Sequence, residues 1–549
     1  MKYISLQTLA QKVGQMLQVD VYNIMHGKVR DPKYALNKAR VALYAKLGIG
    51  SYFNSPFAGG PSRHQSWTAE EWRSIVDQIQ AIYAEHNAIP MIYGIDTIHG
   101  ANYVRNAVLF PQPLAAASSF NVDLVYRMGQ VAAKDSLAAG LPWIFSPACM
   151  KHFIGYSNPT SGNDRADSVI SDFELVNYYA PPFLAAVQQG RVKSAMETYT
   201  SVNGEPVIAS HKLLVDLLRN DMGFHGLLVS DDDEVYRLVN EHHVAANENE
   251  ALFMVFNQTS LDMNMVPSKH IADKLTERLV QQSRISEQRL DDSVRRILRM
   301  KADVGLLRNA TAPYVPPTAV GSVEDQRDAK AAADESIILL ENALKLPVDA
   351  VNPKYTLPIE DPQATVFLTG PLADSKAFLC GGWSIFWQGT DNSSLIPHGV
   401  SIREALNHSF ANLQYAAGVD THGHVKGNRT EALAKAANSS YTIVVLGESS
   451  YTEKNGDVSD LHLPAGQLKY VEELTAIQST SVVVVLVAGR PRLLGGVHKN
   501  AAAVLASFLP CEQGGQAIAD VVTGRVNPSA KLPITYPKAS GDVHLPYFH

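Results

Sequence analysis

The sequence predicts an α/β protein of two domains: a TIM-type (β/α) barrel, interrupted at one junction, followed by an α/β sandwich. Three observations carry that prediction. The chain has 549 residues, too many for one compact domain at roughly 150 residues each. Over roughly the first 305 residues, helical patterns alternate with short apolar runs that end in polar residues or a turn, as parallel strands with crossover helices require. A proline-containing break then separates this half from a second alternation of the same kind.

Leu6, Leu9, Val13, Met16 and Leu17 share one face of a first amphipathic helix. Apolar runs at 47–52, 90–95, 141–146, 149–154, 192–199, 226–230 and 259–265 are the candidate strands, and seven parallel strands with helices between them favour a barrel over an open sheet. Ser286 opens a helix with Leu290, Val294, Ile297 and Leu298 on one face. Residues 310–323, with Pro313, Pro316 and Pro317, have no periodicity and read as a linker. The expected division is therefore a barrel over 1–309, a linker over 310–325 and a sandwich over 326–549. In the sandwich a helix is expected over 326–341 and strands over 364–369, 441–446, 481–488 and 502–508.

One place is physically awkward. The run LPWIFSP at 141–147 passes directly into ACMKHFIG at 148–155, yet neighbouring parallel strands need a connection of a dozen or more residues. Either one run is not a strand, or chain is missing there.

Composition narrows the function classes. Hydrophobic residues make up 46% and charged residues 18%, with 36 Gly and 29 Pro, which are ordinary globular values. Lys and Arg total 47 against 54 acids, without long runs of one sign, so nucleic acid and anionic membrane are not expected partners. Cys149, Cys380 and Cys511 lack metal spacing and cannot all pair. The longest apolar strip, 482–488, is far below the roughly 18 residues that span a bilayer. The stretch TGPLADS after the first sandwich strand lacks the dinucleotide fingerprint, and no GxxxxGK[ST] occurs, so no nucleotide cofactor is expected. Sequons at Asn257, Asn309, Asn392, Asn407, Asn428 and Asn438 point to a secreted or lysosomal/vacuolar glycoprotein, with a soluble cytoplasmic protein as the alternative.

In a parallel barrel, reactive groups come from the C-terminal ends of the strands. The polar residues there are Asp96, Lys151 and His152, Glu197 and Tyr199, and Asp231, Asp232 and Asp233. Half-buried carboxylates facing a cleft suit acid/base and nucleophilic chemistry at a sugar. The bland alternative is that a strand-end Asp caps the next helix. In the second domain the loop GESSYTEKNGD carries Glu448, Glu453 and Asp457, any of which could present a proton to a cleft, or simply be solvated. Trp383 and Trp387 in CGGWSIFWQG could stack on pyranose faces or belong to a core. The EHH at 241–243 has no third ligand at zinc spacing and reads as a helix surface.

Together these pieces resemble glycoside hydrolase family 3 over nearly the whole chain. GIDTIHG with LFP, then KHFIGY, METYTSVNG, GLLVSD and RRILRMK follow the family's order, and ESIILLEN, CGGWSIFWQG, GESSYTEKNGD, AGRP and PSAKLPITYP continue it. The aromatic segment is similar to the β-glucosidase and exo-β-glucanase branch. The resemblance implies Asp231 as nucleophile and Glu453 as acid/base. It implies Asp96, Lys151, His152 and Tyr199 as holders of the terminal nonreducing sugar, and Trp387 as a wall of the next subsite. It implies neither metal nor cofactor. Nearby Lys151 would favour an ionised Asp231, whereas Glu453 must be protonated at rest. Carboxyls roughly 5–5.5 Å apart would give double displacement with retention.

Two departures stand out. Position 232 is Asp where this branch usually has Trp. The family's stretch of several tens of residues between FSP and KHF is not here, at the junction the strand argument had already singled out. A segment is thus expected to be missing beside Pro147 and Ala148. The expected function is a retaining, exo-acting β-glucosidase on small β-glucosides. A β-xylosidase and a catalytically silent sugar-binding protein on the same scaffold are the alternatives.

Overall fold

The computed structural model describes residues 2–5, 7–27, 35–57, 66–146, 149–266, 280–282, 284–309, 314–344, 354–542 and 545. It divides into two compact units. The first comprises Met1–Thr97, Tyr103–Arg105 and Ala133–Ala319, and the second Ile98–Asn102, Asn106–Ala132 and Val320–His549. The boundary therefore departs from a simple cut near 310. Val108, Phe110 and Val131 bury their side chains against Ala329 and Ala332 of the second unit's own core, which draws this part of the N-terminal half into it.

Besides two short antiparallel pairs, the described residues of the first unit hold eight strands in parallel sheets, in chain order β1 Leu17–Asp20, β2 Ser51–Phe53, β3 Ile92–Ile95, β4 Trp143–Ile144, β5 Cys149–Phe153, β6 Ser194–Glu197, β7 Leu227–Val229 and β8 Asn264–Val266. One parallel sheet has the order β8-β1-β2-β3-β4, and another β7-β6-β5. A parallel bridge between Val229 and Met263 links β7 to the residue before β8. This is the neighbour order of a TIM-type barrel with one seam open: among the described residues nothing pairs β4 with β5. Both runs at the suspect junction are strands, so four intervening residues stand where a dozen are needed. The Pro147–Ala148 link itself lies outside the described residues. The helix after β5, Ala180–Gln188, has the apolar sequence APPFLAAVQ yet buries only Ala180. An apolar helix so poorly covered is what a missing neighbouring crossover would leave.

β1 corrects the first helix. The helix is Leu9–Gln15, capped by Thr8, Leu17 begins a strand, and Leu6 lies outside the described residues. Pairing on both sides, with β2 and with β8, outweighs the helical spacing of Leu17. The helix begun by Ser286 is as expected: it spans Glu287–Asp303, and Leu290, Val294, Ile297 and Leu298 are buried.

The second unit holds a six-stranded sheet of β9 Ile338–Asn342, β10 Thr365–Thr369, β11 Asn412–Ala416, β12 Tyr441–Gly447, β13 Ser481–Val487 and β14 Ala503–Ala506. Its order is β9-β14-β13-β12-β10-β11, with only β9 antiparallel. The central strands YTIVVLG and SVVVVLV are buried beyond their first residue, because helices cover both faces. Ile443, Val445, Val483 and Val485 enter one core and Val444, Leu446, Val482 and Val484 the other, as a period of two dictates. The helix expected over 326–341 ends at Asp334, and ILLEN, Ile338–Asn342, supplies the edge strand β9 instead.

Candidate active site

In the first unit, Asp231 lies just past the end of β7 and is 8% exposed. Its Oδ1 accepts the Asp232 N–H at 2.8 Å, the Tyr199 hydroxyl hydrogen-bonds to its carboxylate, and His152 Nε2 lies 3.4 Å from Oδ2. Asp96, one residue past β3, receives the Lys151 ammonium at 2.5 Å. Lys151 and His152 occupy the irregular part of β5, where its register with β6 jumps between Met150 and Phe153. The structure thus brings Asp96, Lys151, His152, Tyr199 and Asp231 together at the C-terminal ends of β3, β5, β6 and β7.

The electrostatics have definable causes. Burial raises the pKa of Asp231, while Lys151 and the hydrogen bonds from Asp232 and Tyr199 pull it down, and burial wins. Lys151 therefore favours the ionised form, as expected, and limits the rise without reversing it. For Lys151 burial opposes the charge, yet Asp96 and Asp231 outweigh it and raise the ammonium's pKa. Burial and then Lys151 lower His152 to about 3, so the ring is neutral and can share hydrogen bonds with a sugar hydroxyl. Burial and then Asp231 push Asp232 up to about 7.

Helix capping does not explain the triple aspartate. Asp233, at φ 62°, precedes the helix Glu234–Asn240 but makes no side-chain cap bond. Arg165 stacks 3.7 Å above the Tyr199 ring, with Arg237 at 5.0 Å, fixing the tyrosine from which Asp231 draws its hydrogen bond. Arg165 left no periodic signal, since it lies in an irregular loop after KHF. His242, expected on a helix surface, instead folds back, with Nε2 2.8 Å from the buried Glu234.

The second unit holds Glu453 and Trp387 together. Trp387 Nε1 donates to Glu453 Oε1 at 3.2 Å. Gln388 clamps the preceding residue twice, its amide donating to Thr452 O at 3.2 Å and its oxygen accepting Thr452 N–H at 3.1 Å. The two segments approach so closely that a Cβ on Gly382 would stand 2.2 Å from Tyr451 O, which requires glycine there. Trp383 N–H donates to Trp387 O at 2.9 Å, closing the aromatic segment into a loop. Buried His99 of GIDTIHG holds that loop with Nδ1 2.8 Å from Phe110 O and Nε2 3.1 Å from both Trp383 O and Ser384 Oγ. A disulfide joins Cys380, at the foot of the loop, to Cys511, and leaves Cys149 as a buried free thiol. Glu448 is engaged by Arg490 at 3.2 Å and by Arg492 at 3.7 Å, which makes it a structural partner rather than a free acid.

A buried, hydrogen-bonded carboxylate beside an ammonium, a second carboxylate and a neutral imidazole has the chemistry that nucleophilic attack on a polyhydroxylated substrate needs. The N-terminal domain model of glycosyl hydrolase family 3 matches residues 8–149 and 148–300, and the family's C-terminal domain model matches residues 337–549. The chain belongs to glycosyl hydrolase family 3 and is a glycoside hydrolase. It is 34% identical to the lysosomal beta glucosidase of Dictyostelium discoideum, over all of this chain and 73% of that one. That alignment runs over 616 positions against 549 residues here, so at least 67 of its positions have no counterpart in this chain. A beta-xylosidase of Formosa agariphila is 28% identical over 84% of this chain and 71% of its own length. Among solved structures, a mutant exo-1,3/1,4-beta-glucanase from a Pseudoalteromonas species superposes with a TM-score of 0.81 at 25% identity, covering 98% of this chain and 90% of that one.

Proposed function

We propose that the protein is a retaining, exo-acting β-glucosidase that hydrolyses terminal nonreducing β-D-glucosyl residues. The observation that carries this reading is Asp231, a buried carboxylate at a barrel strand end with Tyr199, His152 and the Asp96–Lys151 pair around it. In this reading Asp231 attacks the anomeric carbon while Glu453 protonates the departing oxygen. Water then opens the glycosyl-enzyme ester, with Glu453 acting as base. Asp96, Lys151, His152 and Tyr199 hold the sugar, and Trp387 walls the next subsite. The beta glucosidase and exo-glucanase relatives support the glucoside. The beta-xylosidase relative keeps a xyloside as the second reading.

A secreted or lysosomal setting is supported by the lysosomal relative and by the disulfide, which persists in oxidising compartments. Asn257, Asn392, Asn407, Asn428 and Asn438 are all exposed, as glycan attachment requires. Among the described residues no helix is long and apolar enough to cross a membrane.

The test is hydrolysis of aryl β-glucosides and β-xylosides by the wild type, Asp231→Asn and Glu453→Gln. Asp231→Asn should lose on the order of 10³-fold or more in kcat. Glu453→Gln should lose about 10²- to 10⁴-fold, mainly on poor leaving groups. Normal turnover by Asp231→Asn refutes the nucleophile, and faster xyloside cleavage selects the second reading. A wild type that binds glucose but cleaves neither substrate leaves only a sugar-binding role.

A further inference from the structure

We infer that Glu197 is a positioning residue for the reaction, an acceptor that captures the backbone N–H of Asp231 and so fixes the direction of its carboxylate. The inference rests on the reading of Asp231 as nucleophile. It begins with the ladder between β6 and β7, where Leu227, Leu228 and Val229 stand opposite Ser194, Ala195 and Met196. One residue further, Ser230 gives its N–H to Met263 O. The N–H of Asp231 is thus the first beyond the regular strand pairing, and a buried donor without a partner is costly. Glu197, the last residue of β6, turns its side chain back and accepts that N–H on Oε1 at 2.8 Å.

Glu197 is 0% exposed, and its other oxygen has no hydrogen-bond partner. A carboxyl buried this way costs free energy that strand packing does not require, since an apolar residue would fill the same space. What it supplies is the acceptor. The groups facing it are the carboxylates of Asp231 and Glu234 and the amides of Asp231 and Thr198. Glu234 is itself 0% exposed and is met by His242 at 2.8 Å and by Arg237 at 3.5 Å. Burial raises the Glu197 carboxyl well above the usual range, with the charge of Asp231 adding to the rise and the amide hydrogen bonds of Asp231 and Thr198 opposing it, which favours the neutral acid as the acceptor. A glutamine at this position should therefore do its work, and a residue without an acceptor at the same reach should not.

The experiment measures kcat, KM and the rate at which an activated 2-deoxy-2-fluoro-β-glycoside of the preferred sugar labels Asp231, with the labelled peptide identified by mass spectrometry. Glu197→Leu is expected to lower kcat and the labelling rate together by about 10- to 100-fold, with KM changed less than about threefold. Glu197→Gln should recover most of the loss. Glu197→Asp, which keeps the carboxyl but shortens its reach, should behave like Glu197→Leu and decides the matter if that variant does not fold. Wild-type labelling rates in either shortened or apolar variant overturn the inference. So does a glutamine variant as slow as the leucine one, because a neutral acceptor would then be insufficient. Labelling of the wild type at a residue other than Asp231 overturns the reading of the nucleophile, and this inference with it.

Discussion

The two carboxylates proposed for the reaction are held by opposite means. Asp231 follows directly from a strand, and its placement comes from the barrel ladder, from Glu197 behind it and from Tyr199, His152 and Asp232 around it. Glu453 sits at φ 49° at the start of a short turn, Glu453–Gly456, with no strand to place it. Its position is made by side chains: Trp387 on the carboxylate, Gln388 on its neighbour and a disulfide under the aromatic loop. A strand end inherits precision from the sheet, whereas a loop residue must have it built from individual contacts. Substitutions around Asp231 should therefore act on nucleophilic attack and on its pH dependence, while those around Glu453 should act on protonation of the leaving group and on activation of the water.

Among the residues that surround the two carboxylates, the largest effect is expected at Lys151. Lys151→Met removes the main group that offsets burial at Asp231. Because a nucleophile must be ionised, a higher pKa means that activity is lost at a higher pH. The acidic limb of kcat/KM should move upward, with about a 100-fold loss at the optimum on every leaving group. An unmoved limb in a pH-rate profile breaks the comparison on the barrel side. Next comes Gln388→Ala, which should cost about tenfold in kcat/KM on alkyl glucosides and little on nitrophenyl glucosides. A loss that is equal on both would mean that the clamp does more than orient the acid.

The last prediction needs no kinetics. If the open seam between β4 and β5 marks a missing crossover, the deglycosylated protein from its natural source should exceed 59.8 kDa by the mass of at least about 10 to 12 residues, roughly the shortest βαβ crossover. The tryptic peptide running from Asp135 to Lys151 should then be absent from its digest. Detection of that peptide at its calculated mass refutes the missing segment.

Much of this was legible without coordinates. Continuous apolar runs such as 226–230 and 481–488 announced buried parallel strands, and the polar residues after them marked Asp96, Lys151, Tyr199 and Asp231. Even the open seam was legible, because chain connectivity limits how closely parallel strands can follow one another. Tertiary pairing was not. Leu17 carries a helical spacing and becomes strand, and ILLEN joins a sheet edge whose partner, Ala503–Ala506, lies far along the chain.

The sequence by itself thus determined which groups stand at the strand ends and that one crossover is too short, since both follow from local periodicity and chain length. Only the tertiary structure decided what those groups do to one another. Burial outweighs Lys151 at Asp231, Glu197 turns back onto the Asp231 amide, and His242 leaves its surface for Glu234, because desolvation and hydrogen-bond geometry depend on neighbours distant in the chain.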